Sequence, residues 1–143
     1  VHFNSRDNAR TPMQWDDTAN AGFTTGTPWL PANENYHTIN AAAEAQDTDS
    51  VLSYYKQLIR LRKANPVLLS GIYEELLADN EQVYAFSRTA GNRRTVTAVN
   101  FSAEEAALPA GFLKGVRLIG SYTDAPKDTL RPLEAVVYEE EVK

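Results

Sequence analysis

The chain reads as an α+β sequence in which one helix separates an irregular, polar opening from an antiparallel β region. Three observations predict this. The first third has no sustained hydrophobic period, a single stripe at helical spacing follows it, and beyond the helix apolar residues alternate in short runs between turn clusters. With 143 residues, 43% of them hydrophobic and 23% charged, the chain fits one ordinary globular domain, or a small domain plus a piece of another.

From Val1 to about Asp47 the sequence is polar and rich in turn formers, longer than the roughly 12–15 residues at which an unstructured connection becomes uncommon. Trp15, Phe23, Trp29 and Tyr36 argue against disorder, because rings of that size favour burial. An ordered functional loop without regular structure is therefore expected. At least two of Trp15, Trp29 and Phe23 are expected to pack as its anchors. Gly22 and Gly26 permit unusual backbone angles, and Pro28 stiffens the exit.

Asp47-Thr48-Asp49-Ser50 offers several N-caps for the helix that follows. Val51, Leu52, Tyr55, Leu58, Ile59 and Arg62 then fall on one stripe, with Gln57, Arg60 and Lys63 facing away. Leaving that stripe wet would forfeit about 1.5–3 kcal/mol per large side chain, so packed neighbours are expected along it. Asn65-Pro66 ends the helix, since proline lacks a donor and clashes in a helix interior.

Period-two runs follow at Ile72–Ala78, Val83–Thr89 and Thr95–Phe101, then at Val116–Ser121 and Ala135–Tyr138, with Ala106–Leu108 a weaker strand. Spacings near a dozen residues predict an antiparallel sandwich or Greek-key sheet. Tyr84, Phe86, Tyr122 and Tyr138 read as sheet packing, and the composition changes near Pro66–Gly71.

A net charge of -5 and a pI near 5.0 provide no basic surface for nucleic acid or anionic membrane. The basic residues between Lys56 and Lys63 sit at the end of the helix, where cations complement its dipole. No apolar run approaches the ~20 residues of a membrane span. The absence of cysteine excludes disulfides and thiolate metal sites and fits a cytoplasmic protein. His2 and His37 have no ligand spacing, so no metal and no cofactor is expected.

Ser5 to Trp15, reading SRDNARTPMQW, gathers two arginines, carboxamides, an aspartate, a proline and a tryptophan with no periodicity. Such a stretch suits a loop that presents guanidinium, amide and indole groups to a ligand. Together with NAGFTTGTPW, the helix DSVLSYYKQLIRLRK, AVNFS at Ala98–Ser102 and TLRPLEAVVY at Thr129–Tyr138, it resembles the α-amylase superfamily. The likeness is to the oligo-1,6-glucosidase, α-glucosidase and dextran glucosidase branch, and it is weakest over Ala106–Asp128.

The resemblance implies an α+β fragment of a larger enzyme. Residues 1–66 would be the last loop and helix of a catalytic (β/α)8 barrel, and residues 67–143 an antiparallel all-β (Greek-key sandwich) C-terminal domain. The family's catalytic carboxylates lie on barrel strands upstream, and none of their motifs appears here. The barrel portion of the same protein is thus the implied partner, and a short oligosaccharide the implied substrate. The enzyme would be exo-acting and retaining, and the fragment inactive alone. Arg10 would hold the sugar at the pocket floor, with Arg6, four residues earlier, as the competing candidate. A guanidinium fork can grip vicinal hydroxyls or a carboxylate, although both arginines could instead clamp the loop itself. Trehalose synthase and sucrose isomerase relatives carry similar loops, and related chains serve as transporter subunits. A carbohydrate-binding β-domain is a further alternative.

A retaining glycosidase needs two carboxyl groups about 5–5.5 Å apart. Asp16-Asp17, Glu74-Glu75, Glu104-Glu105 and Glu139–Glu141 are the paired candidates. Adjacent residues on a strand face opposite ways, Glu104-Glu105 falls in a polar loop, and Glu139–Glu141 reads as a solvated tail. None is expected to form a dyad.

Overall fold

The computed structural model describes residues 6–142. The chain forms two compact units, one up to Gln57 and one from Leu58 onward.

The first unit has little regular structure, yet its backbone is closely tied. Three short 3-10 turns, Arg6–Ala9, Ala19–Gly22 and Glu34–His37, precede a six-residue helix α1, Ala41–Gln46. This helix departs from the expectation of an irregular stretch to Asp47. Ala-Ala-Ala-Glu-Ala-Gln consists of strong helix formers and is too short to display an apolar stripe. Asn40 caps it, accepting from the Ala43 N–H at 2.8 Å while its own amide donates to the Tyr36 carbonyl at 2.8 Å.

The first N–H groups of α1 would be orphans in an isolated helix. Here Ala41 donates to the Gln14 carbonyl and Ala42 to the Trp15 carbonyl, both at 2.9 Å. On the other side of this segment Trp15 donates to the Ala21 carbonyl, also at 2.9 Å. Ala21 is fully buried at a turn where Asn20, Ala21 and Gly22 hold φ of 56°, 57° and 66°. Three successive left-handed residues reverse the chain sharply, at a steric cost that the first two bear without being glycine.

Ser50 begins α2, Val51–Ala64, as a cap: its Oγ accepts from the Ser53 N–H at 3.1 Å. The Glu44 carboxylate accepts from Leu52 N–H at 3.0 Å. The expected packing of the helix is not observed. No residue of α2 is buried, and Val51, Tyr55 and Ile59 are 76%, 63% and 44% exposed. Leu52, Tyr54, Leu58 and Leu61 are half-buried. The apolar arc therefore spans roughly half the helix circumference, and the side through Tyr54, Leu58 and Leu61 is the more covered. Asn65 adopts an extended conformation, accepts from Val67 N–H at 3.0 Å, and starts the short helix α3, Pro66–Ser70.

The second unit is an antiparallel sheet of β1 (Ile72–Leu76), β2 (Val83–Ala90), β3 (Arg93–Asn100), β5 (Val116–Gly120) and β7 (Ala135–Glu141), ordered β1-β2-β3-β7-β5. A second ladder pairs β4 (Ala106–Ala107) with β6 (Thr129–Leu130). The first three strands form a meander, and β7 returns to lie beside β3. Period-two alternation sends Val83 and Ala85 of β2, Ala98 of β3, and Val136 and Tyr138 of β7 to one face. They form the core with Ala106, Leu108 and Leu130. Alanines at three of these positions let the two ladders approach closely.

Glu139–Glu141 is not a solvated tail. These residues lie within β7, and Glu139 is gripped by the Arg93 guanidinium at 2.7–3.0 Å and by the Asn65 amide at 2.6 Å. Arg94 lies 3.7 Å from Glu140 and 3.6 Å from Glu74. Cross-strand register placed these cations opposite the glutamates, which a one-dimensional charge run does not reveal.

Glu134 is fully buried and accepts three hydrogen bonds from Arg131: its backbone N–H at 2.8 Å, Nε at 3.0 Å and Nη2 at 2.7 Å. Arg131 also reaches the Asp124 carboxylate at 2.7 Å and covers the Tyr122 ring at 3.9 Å. Burial pushes the Glu134 carboxyl up, but the Arg131 bonds and charge outweigh it and leave it below the usual range. Glu139 is held low in the same way, burial being outweighed by Asn65 and Arg93.

A depressed carboxyl stabilises the fold fully above its unfolded value, and that contribution is lost as pH falls through the folded value. Resistance of this chain to chemical denaturation should thus weaken progressively below about pH 5, and Glu134→Gln should flatten that dependence. At neutral pH Glu134→Ala should cost about 3 kcal/mol, since it strips a partly solvated arginine of its main partner. A urea midpoint within error of the parent's would contradict this account. Gly22→Ala, at φ 66° with the new Cβ 2.6 Å from the Asp16 carboxylate, should cost about 1–2 kcal/mol and can be read in the same assay.

Candidate functional site

The motif loop is organised from Asp7 to Trp29. Its first turn places Asp7 and Arg10 together: the Arg10 N–H donates to the Asp7 carbonyl at 3.0 Å, and Nη1 reaches the Asp7 carboxylate at 3.2 Å. The guanidinium carbon lies 4.6 Å from the centre of the Trp29 ring. Arg10 is thus braced by a carboxylate and an indole, with its side chain 37% exposed. The Arg6 backbone belongs to the same turn, and its side chain lies outside the described ones, as does that of Asn8.

Pro12 is buried and anchors the middle of the motif. Gln14 donates to the Ile39 carbonyl at 2.5 Å and to the Asn35 carboxamide at 3.2 Å, so it ties the motif to the segment before α1. Asp16 is used locally. It accepts from the Thr18 hydroxyl at 2.5 Å and the Thr18 N–H at 2.9 Å, and these two bonds hold its carboxyl below the usual range. Asn20 donates to the carbonyls of Thr24 and Gly26, each at 3.1 Å, closing the GFTTG loop.

The aromatic residues depart from expectation. Trp15, Phe23 and Trp29 are 53%, 50% and 79% exposed, so none of the three is a buried anchor. Backbone-to-backbone and carboxamide bonds carry the loop instead, which frees the rings. A cleft of about 350 Å³ opens between the motif and α1, with Pro12, Met13, Gln14, Ile39, Glu44 and Leu52 among its lining. His37 stacks on Tyr36 at 3.9 Å, and among the described residues no group of three acidic, histidine or cysteine side chains could hold a metal ion. No helix among the described residues is long and apolar enough to cross a membrane.

The arrangement offers a braced cation and exposed indoles, groups suited to polar ligands with flat apolar faces, while the Gln14 and Asn20 carboxamides are engaged within the loop. The sequence singled out the loop and, within it, Arg10 with Arg6 as the competing candidate. It did not indicate Trp29 as the partner of Arg10, and the eighteen residues between them carry no periodic signal that could have done so.

Comparison with known proteins places this loop in context. Residues 1–71 match the family model described as the alpha amylase catalytic domain. The chain is 43% identical over 96% of its length to the oligo-1,6-glucosidase of Parageobacillus thermoglucosidasius, covering 26% of that protein. It is 40% identical over 94% of its length to the trehalose-6-phosphate hydrolase of Bacillus subtilis, again covering 26%. Among solved structures, a trehalulose synthase superposes with a TM-score of 0.86 at 44% identity, over 95% of this chain and 26% of that one. Trehalose-6-phosphate hydrolase from Bacillus licheniformis superposes with a TM-score of 0.87 at 37% identity, over 97% and 27%. The similarity covers loop, helix and sheet in order, so this chain belongs to the alpha-amylase family and spans about a quarter of the length of the relatives it matches.

Proposed function

We propose that this chain is the carboxyl-terminal portion of an exo-acting, retaining α-glucosidase that removes glucose from short α-1,6-linked oligosaccharides. In this reading residues 1–66 complete a catalytic barrel and residues 67–143 form its C-terminal β-domain. The carboxylates that break the bond come from upstream, the complete enzyme works in the cytoplasm, and the chain alone does not hydrolyse. The observation that carries the reading is the 43% identity to an oligo-1,6-glucosidase over nearly the whole chain, the motif loop included.

Arg10 and Arg6 are proposed as the sugar-contacting residues. Arg10 has one Nη on Asp7 and its flat face on Trp29, which fixes the plane of the guanidinium and leaves N–H groups at its rim for hydroxyl oxygens. The open apolar arc of α2 at Val51, Tyr55 and Ile59 is assigned in the same reading to the barrel strands of the parent.

The test has two parts. The purified chain should give no turnover of p-nitrophenyl α-glucoside above a mock purification, and turnover scaling with protein would refute the division of labour. A hybrid in which this chain replaces the matching quarter of the Parageobacillus enzyme should hydrolyse isomaltotriose. In that hybrid, loss of a charged hydrogen bond to substrate by Arg10→Ala or Arg6→Ala should lower kcat/KM about 10–150-fold. An arginine whose removal changes kcat/KM less than threefold does not touch sugar.

The trehalulose synthase match at 44% identity favours a second reading, in which the parent isomerises sucrose. Feeding sucrose to the complete enzyme and analysing the products separates them: an isomeric disaccharide supports the second reading, and no reaction or free glucose the first.

A further inference from the structure

On the sheet face turned away from the core, a row of aromatic rings remains open to solvent. Tyr73, Tyr84 and Phe101 are 46%, 43% and 70% exposed. Phe86 lies between the tyrosines at centroid distances of 5.6 and 5.7 Å, and the two phenol oxygens are 3.1 Å apart. Register puts these rings on one side: Tyr73 is opposite Arg88, Phe86 opposite Glu75, and Tyr84 opposite Val99. Phe101 extends the ladder by one residue, donating its N–H to the Gln82 carbonyl at 2.9 Å. Tyr84 packs on the sheet against Phe86 as expected while staying half-open to solvent; the reading of Tyr122 as sheet packing is corrected, since it lies outside any strand and faces the Arg131 guanidinium. Tyr138 is buried as expected.

At the Tyr84 end of the row a cleft of about 130 Å³ enters beside the β1–β2 turn. Tyr84 and Phe101 supply its aromatic lining, and Glu75, Asn80, Glu81 and Gln82 its polar groups. Leu77 helps to close it, held at a left-handed φ of 54° and packed against the core, so that wall is fixed. No lysine, arginine or histidine lines the cleft. Among the described residues, the Glu75 and Glu81 carboxylates carry no side-chain hydrogen bond or ion pair.

These features select a ligand chemistry. Two free carboxylates without a cation repel anions, and they are strong acceptors for hydroxyl groups. Exposed rings beside them take the apolar C–H face of a pyranose. The volume suits one sugar ring and is far below that of a protein interface. We infer that the Tyr84–Phe101 cleft is an accessory binding site for one pyranosyl unit of a neutral oligosaccharide, separate from the Arg10 loop and independent of its role.

The test is an amide-detected NMR titration of the 143-residue chain with isomaltotriose and, separately, maltotriose. Saturable shifts are expected around Leu76–Tyr84 and Phe101, with a dissociation constant of about 1–10 mM. Phe101→Ala and Tyr84→Ala should each weaken binding at least about tenfold, while Tyr84→Phe retains the stacking ring and stays within about twofold. Glu75→Gln, which leaves the rings untouched, should weaken it at least about threefold and reads the same site should a ring truncation disturb folding. Arg10→Ala should leave these shifts unchanged, so failure of this site and failure of the loop assignment are separately visible. Shifts that remain linear to about 100 mM sugar would overturn the inference. So would binding that survives both ring truncations, or tighter binding of tetramethylammonium, which would mark a cation cage instead.

Discussion

The Glu134 carboxylate is the one acidic or basic side chain that the described fold buries completely, and the β unit is built around satisfying it. Arg131, three residues earlier, supplies both guanidinium donors and its own N–H, so the pair closes its own turn. The backbone of that turn is then available to others. The Glu134 carbonyl accepts from Asn100 N–H at 2.8 Å, and the buried Asn100 amide donates to the carbonyls of Glu104 and Arg131 at 2.7 and 2.9 Å. One buried charge thus sets the start of β7, the end of β3 and the loop between β3 and β4. A well-packed hydrophobic substitute could match its stability, but it would not specify three chain directions at once.

The first unit solves a different problem. It has almost no core, with Pro12 and Ala21 as the buried apolar residues among those described, and it holds shape through polar bonds between segments distant in sequence. Gln14, Trp15, Asn20 and Asn40 direct their carbonyls or carboxamides to partners that would otherwise be unsatisfied. Because hydrogen bonds carry the ordering, the rings need not be buried. Trp15, Phe23 and Trp29 can therefore stay at the surface.

Legibility in the sequence followed the range of the interactions. Alternation is local, so the five strands of the main sheet were placed to within three residues at each end, while the two-residue β6 was not foreseen; α2 was bounded correctly by Ser50 and Asn65-Pro66. What failed were features that depend on cross-strand or cross-segment partners. The glutamates of β7 looked like a tail because Arg93 and Arg94 are more than forty residues away, and α1, too short to display a stripe, is held by carbonyls of the motif loop. For the candidate site, residue types marked the loop as one that could present polar groups, and the family resemblance singled out Arg10, with Arg6 as its competitor. The bracing of Arg10 by Trp29, and the exposure of Tyr84 and Phe101 on the sheet, required the three-dimensional register.

The sheet ends in two very different margins. β1 presents adjacent Glu74 and Glu75, and β5 is interrupted by a bulge between Arg117 and Ile119, after Gly115 has brought its backbone so near Glu139 that a methyl group would overlap the carbonyl. A charged border and a kinked one both resist templated strand addition. Crowded or partly denatured samples of this protein should therefore clump through the bare flank of α2 rather than grow as cross-β fibres.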